Sequence, residues 1–99
     1  VFIEMDIVWD QDKNNWLKTE RDISFEEISE IILKQQYIDI LENPTRPDQL
    51  YFILNLRNYT WVVPFLVDQN DNIVLKTAFM SRKDHKVYND KNDESTFNS

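Results

Sequence analysis

Near its end the chain concentrates cations: the run Ile73–Tyr88 holds Lys76, Arg82, Lys83 and Lys86 against one acid, Asp84. That run carries a formal charge of +3 inside a chain whose net charge is −7. Interleaved among the cations are the hydroxyls of Thr77, Ser81 and Tyr88 and the only histidine, His85. Segregated charge of this kind marks one anion-facing surface. Within it Arg82 and Lys83 suit phosphate contact, because a guanidinium holds two phosphate oxygens in a fixed fork. For proton transfer His85 comes first, since histidine titrates near neutral pH; Tyr88 comes second, its free phenol sitting near ~10. The plainer reading of the same run is a strand that ends in a solvated basic helix, with His85 an exposed helix residue.

What must position these groups is small. With 99 residues, 41% of them apolar, the chain supports one core, because a domain of this size buries only about two-thirds of its unfolded surface. Cysteine is absent and histidine occurs once, which leaves neither a disulfide framework nor a thiolate or His-rich zinc site. Glycine is absent too, so the phosphate-cradling loops of nucleotide enzymes cannot form, and Asn and Asp are left to make the tight turns. No cofactor is expected. No apolar run reaches the roughly 20 residues a bilayer requires, and no export signal is visible, so a cytoplasmic protein without membrane contact is expected. Val1–Glu4 precede Met5, a more natural start. The acidic total disfavours nonspecific nucleic-acid binding and leaves such a role to the local basic patch.

Met5–Trp9 alternates as a short strand, and Asp10 caps a helix running to about Arg21, with Trp16 and Leu17 on its core side. Ser24 and Glu27 form a capping box, with Ile23 and Ile28 as its hydrophobic staple. A second helix therefore starts at Phe25, buries Phe25, Ile28, Ile31 and Ile32, and ends near Gln35. After a connection holding Pro44 and Pro47, three β-rich runs follow, Leu50–Leu56, Tyr59–Val67 and Asn72–Met80, joined at Arg57-Asn58 and Asp68–Asp71. Pro64 cannot donate to a ladder, so a bulge or an edge-facing position is expected there. A basic helix from Ser81 or Arg82 completes the order β-α-α-β-β-β-α. This is an α+β sandwich with an antiparallel sheet and helices packed on one face. Residues 1–88 make one domain, and 89–99 read as a flexible tail.

Trp9-Asp10 with Lys13-Asn14, Trp16-Leu17-Lys18 with Arg21, Ile23-Ser24-Phe25-Glu26-Glu27, Lys76-Thr77, and Ser81-Arg82-Lys83 before Tyr88 together span most of residues 5–88. In these motifs and their order the chain resembles the BrnT-like toxins of bacterial type II toxin-antitoxin pairs, small ribonucleases with a RelE-like fold. The resemblance implies a RelE-like sandwich, endoribonuclease activity on mRNA, free or on the ribosome, and neutralisation by a cognate antitoxin. It implies DNA contact only indirectly, through that antitoxin. The sequence departs from the family where many members carry Lys-His-Gly before Ile-Ser-Phe-Glu; here Glu20-Arg21-Asp22 stand in those places.

Metal-independent RNA cleavage needs a base for the ribose 2′-hydroxyl, cations for charge developing on the phosphate, and an acid for the leaving 5′-oxygen. The catalytic candidates are Arg82, Lys83, His85, Tyr88 and Lys76. Lys18, Arg21, Ser81 and Lys86 are candidates for holding RNA; Lys18 and Arg21 share a helix face, which a solvated surface explains equally well. Trp9, Trp16 and Trp61 can stack on bases but read first as core. The acids Asp6, Asp10, Asp12, Asp39 and Glu42 show no recognised ligand spacing for magnesium, so no metal site is expected. The missing Lys-His-Gly and the acidic balance motivate an alternative, a catalytically inactive toxin-fold module that binds an antitoxin or another protein. Direct DNA binding lacks both a helix-turn-helix pattern and an extended basic face.

Overall fold

The fold is that of a computed structural model, which describes residues 6–87. The first strand, β1 (Ile7–Trp9), stops at Asp10, whose carboxylate accepts the Asp12 N–H at 2.9 Å and so starts α1 (Gln11–Glu20). The next helix, α2 (Phe25–Leu33), carries the expected capping box: Ser24 Oγ accepts the Glu27 N–H at 3.2 Å, and Glu27 Oε2 accepts the Ser24 N–H at 3.0 Å. Five strands follow, β2 (Asp39–Glu42), β3 (Leu50–Leu56), β4 (Tyr59–Val67), β5 (Ile73–Leu75) and β6 (Phe79–Met80). A helix, α3, occupies residues 82–87 at the end of the described residues. Tyr88 and the tail expected over 89–99 lie outside them.

The sheet runs β1-β5-β4-β3-β2, with β6 also paired to β4. All pairings are antiparallel except β1 with β5. Leu17 of α1 and Phe25, Ile28 and Ile32 of α2 meet Phe52, Leu54, Trp61, Val63, Phe65 and Leu75 from one face of the sheet. Fully burying an aliphatic or aromatic side chain contributes about 1.5–3 kcal/mol, so this shared cluster holds the two layers together. The α+β sandwich expected from the sequence is therefore present.

Besides the parallel β1–β5 pair in a sheet expected to be antiparallel, four details differ from the expectation, each for a physical reason. An extra strand, β2, forms inside the proline-containing connection because its backbone pairs with β3 over Asp39↔Ile53 to Glu42↔Leu50; tertiary pairing outweighs the weak strand propensity of Asp and Glu. The run Asn72–Met80 splits in two around residues 76–78. Pro64 of β4 faces that break: its carbonyl accepts the Lys76 N–H at 2.9 Å, but its own nitrogen has no proton to offer a neighbouring strand. The disruption expected of Pro64 thus falls in its partner. Trp16 is not on the core side as expected; it is 40% exposed while Leu17 is fully buried. Finally, the left-handed turn positions are not confined to Asn and Asp. Asp22, Asn58 and Asp71 take positive φ, but so do Gln35 and Arg57.

Arg57 tolerates that conformation because its side chain is tied down. Its guanidinium meets Glu27 Oε1 at 2.8 Å and the Asp22 carbonyl at 2.7 Å, clamping the β3–β4 turn to the start of α2. The Arg57 hydrogen bond holds the Glu27 carboxyl below its ordinary value of 4.5, and Asn14 does the same for Glu26. A carboxylate whose folded value is depressed stabilises the fold above its unfolded value, and that contribution is lost as pH falls through the folded value. The melting temperature is therefore expected to decline as pH drops below about 4.5. Glu27→Gln should flatten this acid limb in a pH series of thermal melts.

Candidate functional site

Thr60 anchors the segment that carries the basic cluster. Its carbonyl accepts the Ser81 N–H at 3.1 Å, just after the β4–β6 pairing Trp61↔Met80 ends. Ser81 then caps α3: its Oγ accepts the Asp84 N–H at 3.1 Å and donates to Asp84 Oδ2 at 2.7 Å. The one acid of the basic run is thus engaged by Ser81, whose expected role was RNA contact and whose visible role is to start the helix. Arg82, Lys83 and Lys86 are exposed on α3, and His85 is half-buried.

Around His85 the contacts are specific. Its ring stacks on Tyr59 with centroids 4.1 Å apart and planes 8° from parallel. Nδ1 lies 3.1 Å from Thr60 Oγ1, and the same hydroxyl lies 3.1 Å from Asn55 Oδ1. His85 lines an open polar hollow of about 390 Å³ with Asn55, Leu56, Arg57 and Asn58. A second hollow, of about 430 Å³, is lined by Thr19, Glu20, Arg21, Asp22, Arg57, Trp61 and Met80. Arg57 lines both hollows, so the second borders the first at that residue.

Arg21 reaches this surface from the end of α1. Its guanidinium donates to the Ala78 carbonyl and lies 4.6 Å from the centre of the Trp16 ring. Lys13 Nζ is 4.5 Å from the same ring, so the exposed indole is flanked by two cations. Trp9 instead packs against Phe25 at 5.7 Å, and Trp61 is buried in the core with its N–H on the Leu56 carbonyl. The other candidates lie apart. Lys18 faces Glu26 at 3.6 Å, and Lys76 lines a separate hollow with Asp10, Asp12 and Lys13. The structure therefore gathers Ser81, Arg82, Lys83, His85 and Lys86 on one short element and brings Arg21 against the strand leading into it.

Sequence reasoning missed Asn55, Tyr59, Thr60 and Arg57. A two-residue turn at 57–58 sets 55 opposite 60, as the register Asn55↔Thr60 shows, so that pair was readable once the turn was accepted. Nothing in the spacing linked Thr60 to His85, 25 positions later.

With this geometry in view, comparison with solved structures is informative. The chain superposes on the 1.1 Å crystal structure of the ribonuclease toxin BrnT from Brucella abortus, with a TM-score of 0.60, over 79% of this chain and 97% of that one. The chain has the BrnT fold. Sequence identity over the match is 16%, so the likeness is one of fold. No protein-family model matches the sequence. No curated protein matches it either.

Proposed function

We propose that this protein is the toxin of a type II toxin-antitoxin pair, a metal-independent endoribonuclease that cuts mRNA and is neutralised by a cognate antitoxin. The observation that carries this reading is the union of a BrnT-type fold with a polar hollow holding the only histidine beside three exposed cations of one helix. In this reading Arg82 and Lys83 hold the scissile phosphate, Lys86 and Arg21 the neighbouring backbone, and His85 takes the proton of the ribose 2′-hydroxyl. The 2′-oxygen then bonds to phosphorus while the bond from phosphorus to the 5′-oxygen breaks. The leaving oxygen takes a proton from an acid, for which Tyr88 remains the candidate by sequence. Exposed Trp16, with Lys13 and Arg21 beside its ring, offers a further surface for a base and its phosphate. Lys76 and Lys18 are kept as further cations for a longer RNA.

Induction of the protein alone in a bacterium tests this directly. Growth arrest with loss of intact message is expected for the parent, and the double variant Arg82→Ala, Lys83→Ala should grow normally. A double variant as toxic as the parent would remove these two residues from the site.

One observation favours the second reading, an inactive interaction module. An apolar hollow of about 390 Å³ lies between the end of α2 and the sheet, lined by Ile7, Ile32, Leu33, Tyr37, Ile40 and Phe65 among others, and Leu33 there is 68% exposed. Exposed apolar surface of this kind suits a protein partner. A parent that leaves growth and RNA untouched would select it.

A further inference from the structure

The apolar hollow at the end of α2 has a built floor and a charged rim. Tyr37 lies 5.1 Å from Phe52, and Phe52 stacks on Phe65 at 4.1 Å, so three packed rings form the floor. Leu33, Ile40 and Val67 stand exposed around it. Its volume of about 390 Å³ falls within the ~300–1,000 Å³ of formed ligand pockets, room for a few side chains.

The charges beside it are mostly of one sign. Asp39 and Glu42 lie on either side of Ile40 in β2, Asp6 precedes Ile7, and Asp68 and Asp71 stand in the turn between Val67 and Ile73. Of the cations, Lys34 next to Leu33 is paired with Glu30 at 2.9 Å, and Arg46 shares the β2–β3 loop with Asp48. Acids therefore outnumber cations at this end of the sheet seven to two. The basic helix α3 is at the other end of β4. From Thr60, beside His85, to Val67 is roughly 20 Å, and the two side chains point to opposite faces of the sheet.

This charge selects the occupant. A second copy of the chain would set one acidic rim against another, which like charges oppose. The segments outside the described residues match no better: 1–5 hold Glu4 and no cation, and 88–99 hold Asp90, Asp93 and Glu94 against Lys91. An added strand is disfavoured as well. The edge strand β2 has four residues, two of them acidic, and its Asp39 carboxylate accepts the Ile40 N–H at 2.8 Å.

We propose that this hollow docks a basic amphipathic helix of a partner protein, its apolar face on the Tyr37–Phe52–Phe65 floor and its lysines and arginines toward the acidic rim. The proposal goes beyond the ribonuclease reading and does not depend on it. Docking here leaves α3 uncovered, so a partner that also silences the basic cluster needs a second segment to reach it.

The probe is a synthetic helix of about 15 residues, with leucine at i, i+3, i+4 and i+7 and lysine or arginine elsewhere. Its match carries glutamate at every basic position. Titrated at low salt into the ¹⁵N-labelled full chain, the basic peptide is expected to shift the amides of Leu33, Ile40 and Val67 and to leave 82–87 unmoved. It should bind at least about tenfold more tightly than its acidic match, and high salt should narrow the gap. Leu33→Ser and Val67→Ser, exposed positions where no charge changes, should each weaken binding about tenfold. Val8→Ser, exposed on the opposite face of the sheet, should not. Backbone amide spectra establish that each variant is folded. No binding, shifts centred on α3, equal binding of the acidic peptide, or full affinity in both serine variants overturns the proposal. So does a concentration-dependent dimer abolished by Leu33→Ser, which assigns the hollow to a second copy. Tighter peptide binding in Phe2→Ser or Phe97→Ser overturns it too, assigning the hollow to a segment of the chain itself. RNA cleavage by the parent judges the ribonuclease reading alone.

Discussion

RNA cleavage is expected to fall by about 10²–10⁴-fold when His85 becomes alanine, the range spanned by a positioned general base. The structure gives this residue an environment that an exposed helix histidine would lack. Its ring is half-buried, stacked at 4.1 Å on Tyr59, 3.1 Å from Thr60 Oγ1 at Nδ1, and borders a hollow whose other walls come from the β3–β4 turn. Losing a base used in the chemical step should appear in kcat more than in KM. Loss of Arg82 or Lys83 should raise KM as well and weaken its salt dependence, because in the proposed reading each cation neutralises a phosphate and releases a counterion on binding. His85→Ala should lower the melting temperature by only a few degrees, the effect of losing the Tyr59 stack, since the ring lies outside the core cluster. Steady-state kinetics on a short single-stranded RNA, with a thermal melt of each variant, would separate these effects. Activity retained within a factor of about three would remove His85 from proton transfer.

The second large effect is on stability. Asn14 is fully buried on α1, and its amide spans the gap to α2: Oδ1 accepts the Phe25 N–H at 2.8 Å, and Nδ2 donates to Glu26 Oε1 at 2.8 Å. Phe25 is the first residue of α2, where backbone N–H groups have no partner within the helix. Asn14→Ala leaves that buried donor unsatisfied, which costs about 1–3 kcal/mol, and removes a polar side chain whose space neighbours cannot refill with bonds. For a domain near 100 residues, each kcal/mol lowers the melting temperature by roughly 4–8 °C, so a drop of about 10 °C is expected. Asn15→Ala, one position along on an exposed site, should shift it by less than about 2 °C. The same Asn14 substitution removes the main cause of the low Glu26 pKa, so the carboxyl should titrate closer to its ordinary value of 4.5. Equal melting curves for the two variants would show that the bridge is dispensable.

Asn14 also shows what kind of information the sequence carried. Lys13-Asn14 belonged to the pattern that suggested a family, yet its position alone gave no hint that the amide joins two helices. The helix starts were legible because capping is local: Asp10, Ser24 and Glu27 act within three residues of themselves. Strands β3 and β4 were legible to the residue because alternation and a two-residue turn determine both boundaries. Strand β2 was not, since it exists through pairing with β3 rather than through its own residues. Trp16 was misplaced because spacing shows which positions share a helix face but not how wide the covered stripe is; α1 meets the sheet through Leu17, and its indole finds two cations instead. Of the site, the basic cluster and His85 could be read from charge and uniqueness. Thr60 could not, because only the folded sheet sets a strand residue beside a helix formed 25 positions later.

The most direct measurement is made on purified protein incubated with single-stranded RNA and with ribosome-bound message, in buffer containing a metal chelator. Cleavage in the chelator, with 2′,3′-cyclic phosphate on the upstream fragment and its disappearance in the Arg82→Ala, Lys83→Ala variant, is the predicted result. RNA that stays whole under both conditions, or is cut only when a divalent cation is supplied, would contradict the account.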